Sequence, residues 1–385
     1  MNNGCDLLVV GLGAMGSAVA LQATRLGLSV IGLDRHCPPH EFGSSHAETR
    51  ITRLAVGEGD EYVPFVARSH QLWLEFEAAI SAPLFHQSGG FIASTPGSGG
   101  NRWNDFTAAT AAVADRHHIA FERMAPTAAR AASPRVRFPD SMAVGFEPTA
   151  GVVRCEDAVG AQLQLARRAG ADLRTDTEVL GLRPRKDHVE VHTAAGFLKA
   201  DQVVLAAGAW MPTLTTPSVA DRLTVTRQVV YWFEVDDLEA FRPERFPFVM
   251  WIDNAIEEYS GMFPAPVGST PGLKVLGEQF HTVTTADSVS RTVTTKETAD
   301  FHQRLVATRV DGVTARCIRA QVCLYTTTSD DTFLIERDAR SDRIVVMSPC
   351  SGHGFKHSAA LGEAVAQTVA TGRSTLSLTS FGLAV

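Results

Sequence analysis

The sequence predicts an α/β fold: a Rossmann-type domain joined to a second domain built on a mixed sheet. Three observations carry that expectation. Residues Asp6 to Asp34 read as strand, glycine loop, helix and strand; apolar strands return near Val203 and Ile344; and a stretch rich in β-branched and aromatic residues lies between Leu223 and Val310. The first domain is placed, discontinuously, at residues 1–80, 150–215 and 320–385, and the second at 81–149 and 216–319.

Leu7 to Val10 is an apolar run of the kind that forms a buried parallel strand. It ends in Gly11-Leu12-Gly13-Ala14-Met15-Gly16, a full G-x-G-x-x-G. Gly11 permits the tight turn, Gly13 lets a pyrophosphate approach the backbone, and Gly16 lets helix and strand pack closely. Ala14 to Leu26 has helical composition and stops at Gly27. The free N–H groups and positive dipole end of that helix face the phosphates. Ser29 to Leu33 is the second strand, and Asp34 at its end is placed to accept from a ribose hydroxyl, which suits an adenosine without a 2′-phosphate. The uncharged run Leu7 to Thr24 raises a signal peptide or a membrane span, but MNNGCD supplies no basic segment and three glycines interrupt the run.

With 385 residues the chain holds two or three domains' worth of core, and 45% hydrophobic with 20% charged residues is ordinary for a globular protein. A net charge of −7 argues against nucleic acid as the partner. No polybasic tract suggests a membrane surface, and no second apolar run is long enough to span a bilayer. Without a targeting signal, the expected location is cytoplasmic. The cysteines Cys5, Cys37, Cys155, Cys317, Cys323 and Cys350 form no C-x-x-C pair, so no metal site is expected and they read as buried thiols.

Beyond Pro38-Pro39-His40, Ser44 or Ser45 is placed to cap a helix carrying Arg50 and Arg53, which, three apart, would share a helical face. Tyr62 to Ala78 reads as an amphipathic helix with Pro64 in its first turn. Gly89 to Ala93 is a strand entering a loop, Thr95 to Gly100, followed by alanine-rich helices near Trp103 to His117 and Ala125 to Ala132. Gly151 to Arg154 begins the return to the first domain. Asp157 to Ala169 is a helix ending at Gly170, and strands lie within Asp172 to Leu182, at Val189 to Thr193, and from Val203 to a break at Gly208. Thr224 to Glu234, Phe248 to Ile252 and Gly272 to Leu276 are strands of the second domain's sheet. Ala320 to Thr326, Phe333 to Ile335 and Ile344 to Met347 complete the strands. Ser351 to Lys356 is a glycine-rich turn before a helix, Ser358 to Thr371, whose start is a second place for N–H groups to face an anion or polar ring.

Four separated stretches, the Gly11 to Asp34 unit, GSSHAETRITRLAVGEGDEYVP, QVCLYTTTSDDTF and SGHGFKHSAALGEAVAQ, together resemble the monomeric sarcosine oxidase and N-methyltryptophan oxidase family. The resemblance covers the whole chain and implies an FAD-dependent amine oxidase of D-amino-acid-oxidase-like fold. It implies a covalent link from Cys323, in QVCLYT, to the flavin 8α-methyl, for which a thiolate is a suitable nucleophile. It implies cofactor contacts at Gly11, Gly13, Gly16, Asp34, Ser44, His46, Thr49, Gly352, Gly354 and Lys356. Arg50 would lie by the flavin ring and stabilise negative charge on it. Arg53 would hold the substrate carboxylate as a planar fork, with Lys356 as second partner and Tyr325 as a further substrate contact. Lys274, in Gly272-Leu273-Lys274, matches the lysine that assists oxygen reduction. Taken as residues alone, the arginine pair reads first as a solvated face, and an exposed strand-edge lysine is the rival reading of Lys274.

Sarcosine-oxidising members carry a tyrosine upstream of that lysine and a histidine shortly after it. Here Gly261-Met262-Phe263-Pro264 stands in the tyrosine context with Tyr259 displaced, and Glu278 best matches the histidine, His281 being the nearest one. The pocket wall therefore differs while the carboxylate clamp is kept. Glu278 is either an acceptor for a ring nitrogen or an exposed carboxylate. The expected activity is oxidation of a secondary amine or imine amino acid, with hydride transfer to flavin and reoxidation by O2 to H2O2. A cyclic imino acid, pipecolate-like or piperideine-carboxylate-like, is the alternative substrate. An NAD-linked dehydrogenase and a non-catalytic flavin-binding protein are the rival classes, the former leaving Cys323 and SGHGFK unexplained. The expected partners are a small amino acid and O2, with the chain acting as a monomer.

Overall fold

The computed structural model describes residues 4–95, 105–254 and 258–384; most of the expected loop from Thr95 to Gly100, and the helix start expected at Trp103, lie outside the described residues. One eight-stranded sheet contains β1 (Gly4–Val10), β2 (Val30–Leu33), β9 (Asp172–Arg174), β10 (Val179–Pro184), β11 (Val189–Thr193), β12 (Gly196–Leu205), β18 (Leu334–Asp338) and β19 (Ser341–Ser348). Its centre is parallel: β1 lies between β12 and β2, with Val10 opposite Leu205 and Leu33, and β19 runs parallel to the end of β12. Leu7 and Val9 bury into one core and Leu8 and Val10 into another. Both faces are covered, which is why the run is apolar without alternation.

Helix α1 (Ala14–Arg25) packs on the first of these faces together with the helices Cys155–Arg168 and Ser358–Thr371. Gly16 shows how close that packing is. A Cβ there would stand 1.7 Å from the Gly11 carbonyl oxygen. The strand ends of β1, β2, β12 and β19 share one edge, so the loops that follow them meet there. That is the edge at which open α/β sheets bind ligands.

A small three-stranded sheet joins β3 (Thr49–Thr52), β4 (Phe85–His86) and β8 (Gly151–Arg154). The expected helix under Arg50 and Arg53 is therefore a strand: Arg50 lies in β3 opposite Val153, and Arg53 just past its end. Two threonines and Ile51 suit a strand, and β8 supplies the antiparallel partner. The Ser45 hydroxyl instead accepts from the Ala14 N–H at the start of α1, at 3.1 Å. The return at Gly151 likewise enters this small sheet and not the large one.

The second eight-stranded sheet has the order β17-β13-β16-β15-β14-β5-β7-β6, from β5 (Gly90–Ser94), β6 (Glu122–Met124), β7 (Ala143–Glu147), β13 (Thr224–Val235), β14 (Phe248–Asp253), β15 (Glu258–Phe263), β16 (Leu273–Gly277) and β17 (Val313–Thr327). It is mixed, since β5 and β14 run parallel among antiparallel neighbours. The expected domain break at residue 320 falls inside β17, which pairs with β13 from Thr327 to Val313, so Cys323 belongs to this sheet. One face buries Tyr231, Phe233, Met262, Val275 and Val322 in a core of its own. The other face looks toward the first sheet. No helix among the described residues is long and apolar enough to cross a membrane.

Gly16→Ala is expected to lower stability by roughly 1–3 kcal/mol through overpacking against backbone that cannot yield. Gly160→Ala, in helix Cys155–Arg168 with nothing within 4 Å of its Cβ position, is expected to raise it by roughly 0.5–1 kcal/mol. Urea midpoints of the two variants check the pair.

Candidate active site

Between the carboxyl edge of the first sheet and the inward face of the second lies a cavity with about 2070 Å³ of empty space, including its open mouth. Gly11, Gly13, Asp34, Ser44, Arg50, Arg53, Glu278, Cys323, Tyr325, Gly352, Gly354 and Lys356 line it. Gly16, His46, Thr49 and Lys274 stand behind that lining.

The end near β1 suits a nucleotide. A Cβ on Gly13 would meet only the Ser45 hydroxyl, at 3.4 Å, so the space over it is open to a ligand. The buried Ser44 hydroxyl has no hydrogen-bond partner among the described residues, although it lines the cavity. That orphan is what a bound cofactor would satisfy. The Asp34 carboxylate accepts from the Leu12 N–H at 2.7 Å and the His36 N–H at 2.8 Å, holding the glycine loop in place. With Ala14 N–H held by Ser45, two of the loop's donors are engaged within the protein.

Strand alternation builds the opposite wall. On β17, Arg319, Cys323 and Tyr325 share a face; their partners on β13 are Trp232, Gln228 and Thr226. Trp232 is also opposite Lys274 on β16, and Lys274 is opposite Phe263 on β15. Cys323 is 3% exposed. Its Sγ lies 3.8 Å from His46 Nδ1, while His46 Nε2 lies 3.0 Å from the Gly43 carbonyl. Nε2–H donates to that carbonyl, which leaves Nδ1 as an acceptor facing the thiol. Burial, and then Arg50, push His46 down to about 4, so its ring is neutral. Burial also raises the Cys323 thiol, against the pull of Arg50 and Lys274.

Arg50 donates to the Ser44 carbonyl at 2.7 Å and the Thr49 carbonyl at 2.8 Å. Lys274, 2% exposed, donates from Nζ to that same Thr49 carbonyl and to the Thr49 hydroxyl at 3.0 Å. Its ammonium sits 4.1 Å from the Phe263 ring centre. Burial, followed by repulsion from Arg50, pulls Lys274 down to about 7. The strand-edge surface reading of Lys274 is thereby excluded.

At the far end, Arg53 and Lys356 converge on a residue the sequence reading passed over. Glu58 accepts from Arg53 at 2.6 Å on one oxygen and from Lys356 at 3.0 Å on the other. Burial would raise the Glu58 carboxyl, but Arg53 and Lys356 hold it well below the usual carboxylate range. Burial takes Lys356 down to about 8 against the opposing pull of Glu58. The only sequence signal for Glu58 is an acid between two glycines, GEG, shortly after Arg53. Tyr259, Tyr325 and Glu278 complete the wall, with Glu278 packed against Gly352 and Tyr325, while His281 is exposed outside the cavity. Burial, then Glu278 and Tyr259, raise the Tyr325 phenol well above its usual range. Among the described residues, no group of three or more His, Cys, Asp or Glu side chains is placed to hold a metal ion.

The chain is similar to known proteins over nearly its whole length. A family profile described as FAD dependent oxidoreductase matches residues 6–368. The monomeric sarcosine oxidase of Streptomyces avermitilis is 34% identical over 378 residues, covering 95% of this chain and 94% of that one. An N-methyl-L-tryptophan oxidase of Escherichia coli is 31% identical over 385 residues, covering 98% of each. In structure, NikD, described as an unusual amino acid oxidase essential for nikkomycin biosynthesis, superposes with a TM-score of 0.83 at 20% identity, over 99% of this chain and 98% of that one. At that identity NikD speaks for the fold alone. A cavity at the strand edge lined by the glycine loop, and similarity running the full length of both sequences, lead to one assignment: this chain belongs to the FAD dependent oxidoreductase family.

Proposed function

We propose that the chain is an FAD-dependent oxidase of an amino acid that carries a secondary amine or imine. The observation that carries this reading is the convergence of Arg53 and Lys356, 1% and 5% exposed, in a cavity that also reaches the glycine loop and whose wall holds Cys323. When bound, FAD supplies the hydride acceptor for the C–H beside nitrogen and passes the electrons to O2, giving H2O2.

The chain's residues supply the rest. Arg53 offers a planar fork and Lys356 a point charge to one carboxylate. Glu58 occupies both in this structure, so a substrate carboxylate enters by exchange with it, one anion for another. A neutral amine has nothing to put in its place, which favours amino acids over simple amines. Arg50 in the cavity wall and Lys274 behind it supply positive charge that would favour reduced oxygen. Cys323 is the proposed attachment point for the flavin, with Arg50 and Lys274 favouring its thiolate and neutral His46 Nδ1 facing the thiol. A cyclic imino acid is the second reading, favoured by the Glu278 carboxylate standing where a ring N–H could donate to it. We assign cofactor holding to the first sheet and substrate holding to the second. Six free cysteines support a reducing, cytoplasmic setting, and the name of the sarcosine oxidase relatives supports a monomer.

Anaerobic mixing with N-methyl and cyclic amino acids should bleach the flavin absorbance; if none does, the substrate class is wrong. Lys356→Met should weaken carboxylate substrates by roughly 2–5 kcal/mol, read from KM, because Arg53 is left with Glu58 alone. The unfolded chain should carry the mass of one FAD, and Cys323→Ala should release its pigment into acid; an unmodified parent mass refutes the covalent link. Lys274 is charged below about pH 7 and neutral above it. The rate of flavin reoxidation by O2 should therefore fall as pH rises through 7, and Lys274→Met should abolish that dependence and slow the step at least about tenfold.

A further inference from the structure

The turn that delivers Thr49 and Arg50 to the cavity is strained. Ala47 and Glu48 have φ of 74° and 69°, and the Thr49 N–H donates back to the Ala47 carbonyl at 2.8 Å. Two successive non-glycine residues with positive φ, closed by a hydrogen bond two residues long, make a γ-turn of the uncommon positive-φ kind. Such backbone persists only where its surroundings hold it, and it concentrates at functional sites.

What holds it is Glu48. Its carboxylate accepts from six donors: Trp232 Nε1 at 3.0 Å, the Ser269 N–H and hydroxyl at 3.2 and 2.9 Å, the Thr270 N–H and hydroxyl at 3.2 and 2.8 Å, and Arg319 Nη1 at 3.2 Å. These come from β13, the segment before β16, and β17, all parts of the second sheet's layer. On the other side, the Glu48 N–H donates to the Glu156 carboxylate at 3.0 Å and the Glu48 carbonyl accepts from the Cys155 N–H at 2.9 Å. Immediately after this latch come the Thr49 carbonyl and hydroxyl that receive the Lys274 ammonium. Trp232, which donates to Glu48, is also the cross-strand partner of Lys274.

We propose that Glu48 is a positioning residue: by fastening the strained turn to the second sheet, it aims the Thr49 carbonyl and hydroxyl at Lys274 and so keeps that ammonium where it serves the reaction with oxygen. This rests on the role given to Lys274 above. The charged and titratable groups around that ammonium are Arg50, Cys155, Cys323 and Glu156. Arg53 and Lys356 are held instead by Glu58 and by the Ala55 and His353 carbonyls, outside this turn. Loss of Glu48 therefore bears on reoxidation more than on amine oxidation.

The test uses the flavin-loaded full chain with Glu48→Gln, which keeps the volume but turns one acceptor into a donor facing donors, and Glu48→Asp, which keeps the charge. In Glu48→Gln, reoxidation by O2 should fall at least about tenfold while anaerobic reduction by substrate stays within about twofold. Glu48→Asp should recover part of the loss. Combining Glu48→Gln with Lys274→Met should slow reoxidation no further than Lys274→Met alone, a non-additivity that a general weakening of the fold would not produce. A crystal structure of Glu48→Gln should show the Thr49 to Lys274 contact broken, with the fraction of chain bearing flavin mass unchanged. Equal loss in both half-reactions, additive effects in the double variant, or an intact Thr49 to Lys274 contact would each overturn the proposal. If Glu48→Gln fails to fold, the same measurements on Ser269→Ala with Thr270→Val, which remove both hydroxyl donors, decide it by the same criteria. Unchanged reoxidation in Lys274→Met alone would instead refute the role of Lys274 and leave the latch geometry standing.

Discussion

Buried positive charge is the constraint on which this structure turns. Arg53, Lys274 and Lys356 are 1%, 2% and 5% exposed in a chain whose net charge is −7. A cation removed from water is costly unless partners replace the water. Here each is answered in a different way. Arg53 and Lys356 share Glu58, and Arg53 also donates to the Ala55 carbonyl and Lys356 to the His353 carbonyl. Lys274 and Arg50 share the Thr49 carbonyl. Aromatic rings take up more of the charge, with Phe106 5.2 Å from the Arg53 guanidinium and Phe263 4.1 Å from the Lys274 ammonium.

Those answers demand an exact backbone path, and the small sheet β3-β8-β4 exists at the place where the path is needed. Glu147 extends the same support. Fully buried, it accepts from the Leu54 and Ala55 N–H groups at 2.7 and 3.0 Å, so the Ala55 carbonyl faces Arg53. Glu48 and Glu147 thus anchor the two ends of the segment that carries both arginines. The cavity wall therefore carries its charge as local pairs, with Glu58 and Glu278 lining it beside Arg50, Arg53 and Lys356.

Much of this was legible in the linear pattern because it depends on neighbours in sequence. The strand, glycine loop and helix from Leu7 to Arg25, and the helix Ser358–Thr371, follow from apolar runs and glycine stops. The spacing of Arg50 and Arg53 misled. Three residues apart suggests one helical face, but they lie on and beyond a strand, and their convergence depends on the turn after Thr52. Strand β15, which carries Tyr259, was not expected, because a glycine interrupts it and its pairing partners β14 and β16 lie elsewhere in the chain. Glu48 and Glu58 sit in short irregular segments with no period to mark them, so nothing local separates them from solvated acids.

By itself the sequence determined the strand, glycine loop and helix that begin at β1, and it marked Cys323, Arg53, Lys274 and Lys356 as residues of interest, because those signals are carried by local spacing and residue type. Only the tertiary structure decided what those residues face: which carbonyl receives Lys274, which carboxylate joins Arg53 to Lys356, and that β17 delivers Cys323 from the second sheet. Charge placement of that kind is set by partners drawn from distant segments, and distance along the chain holds no record of which groups burial will bring together.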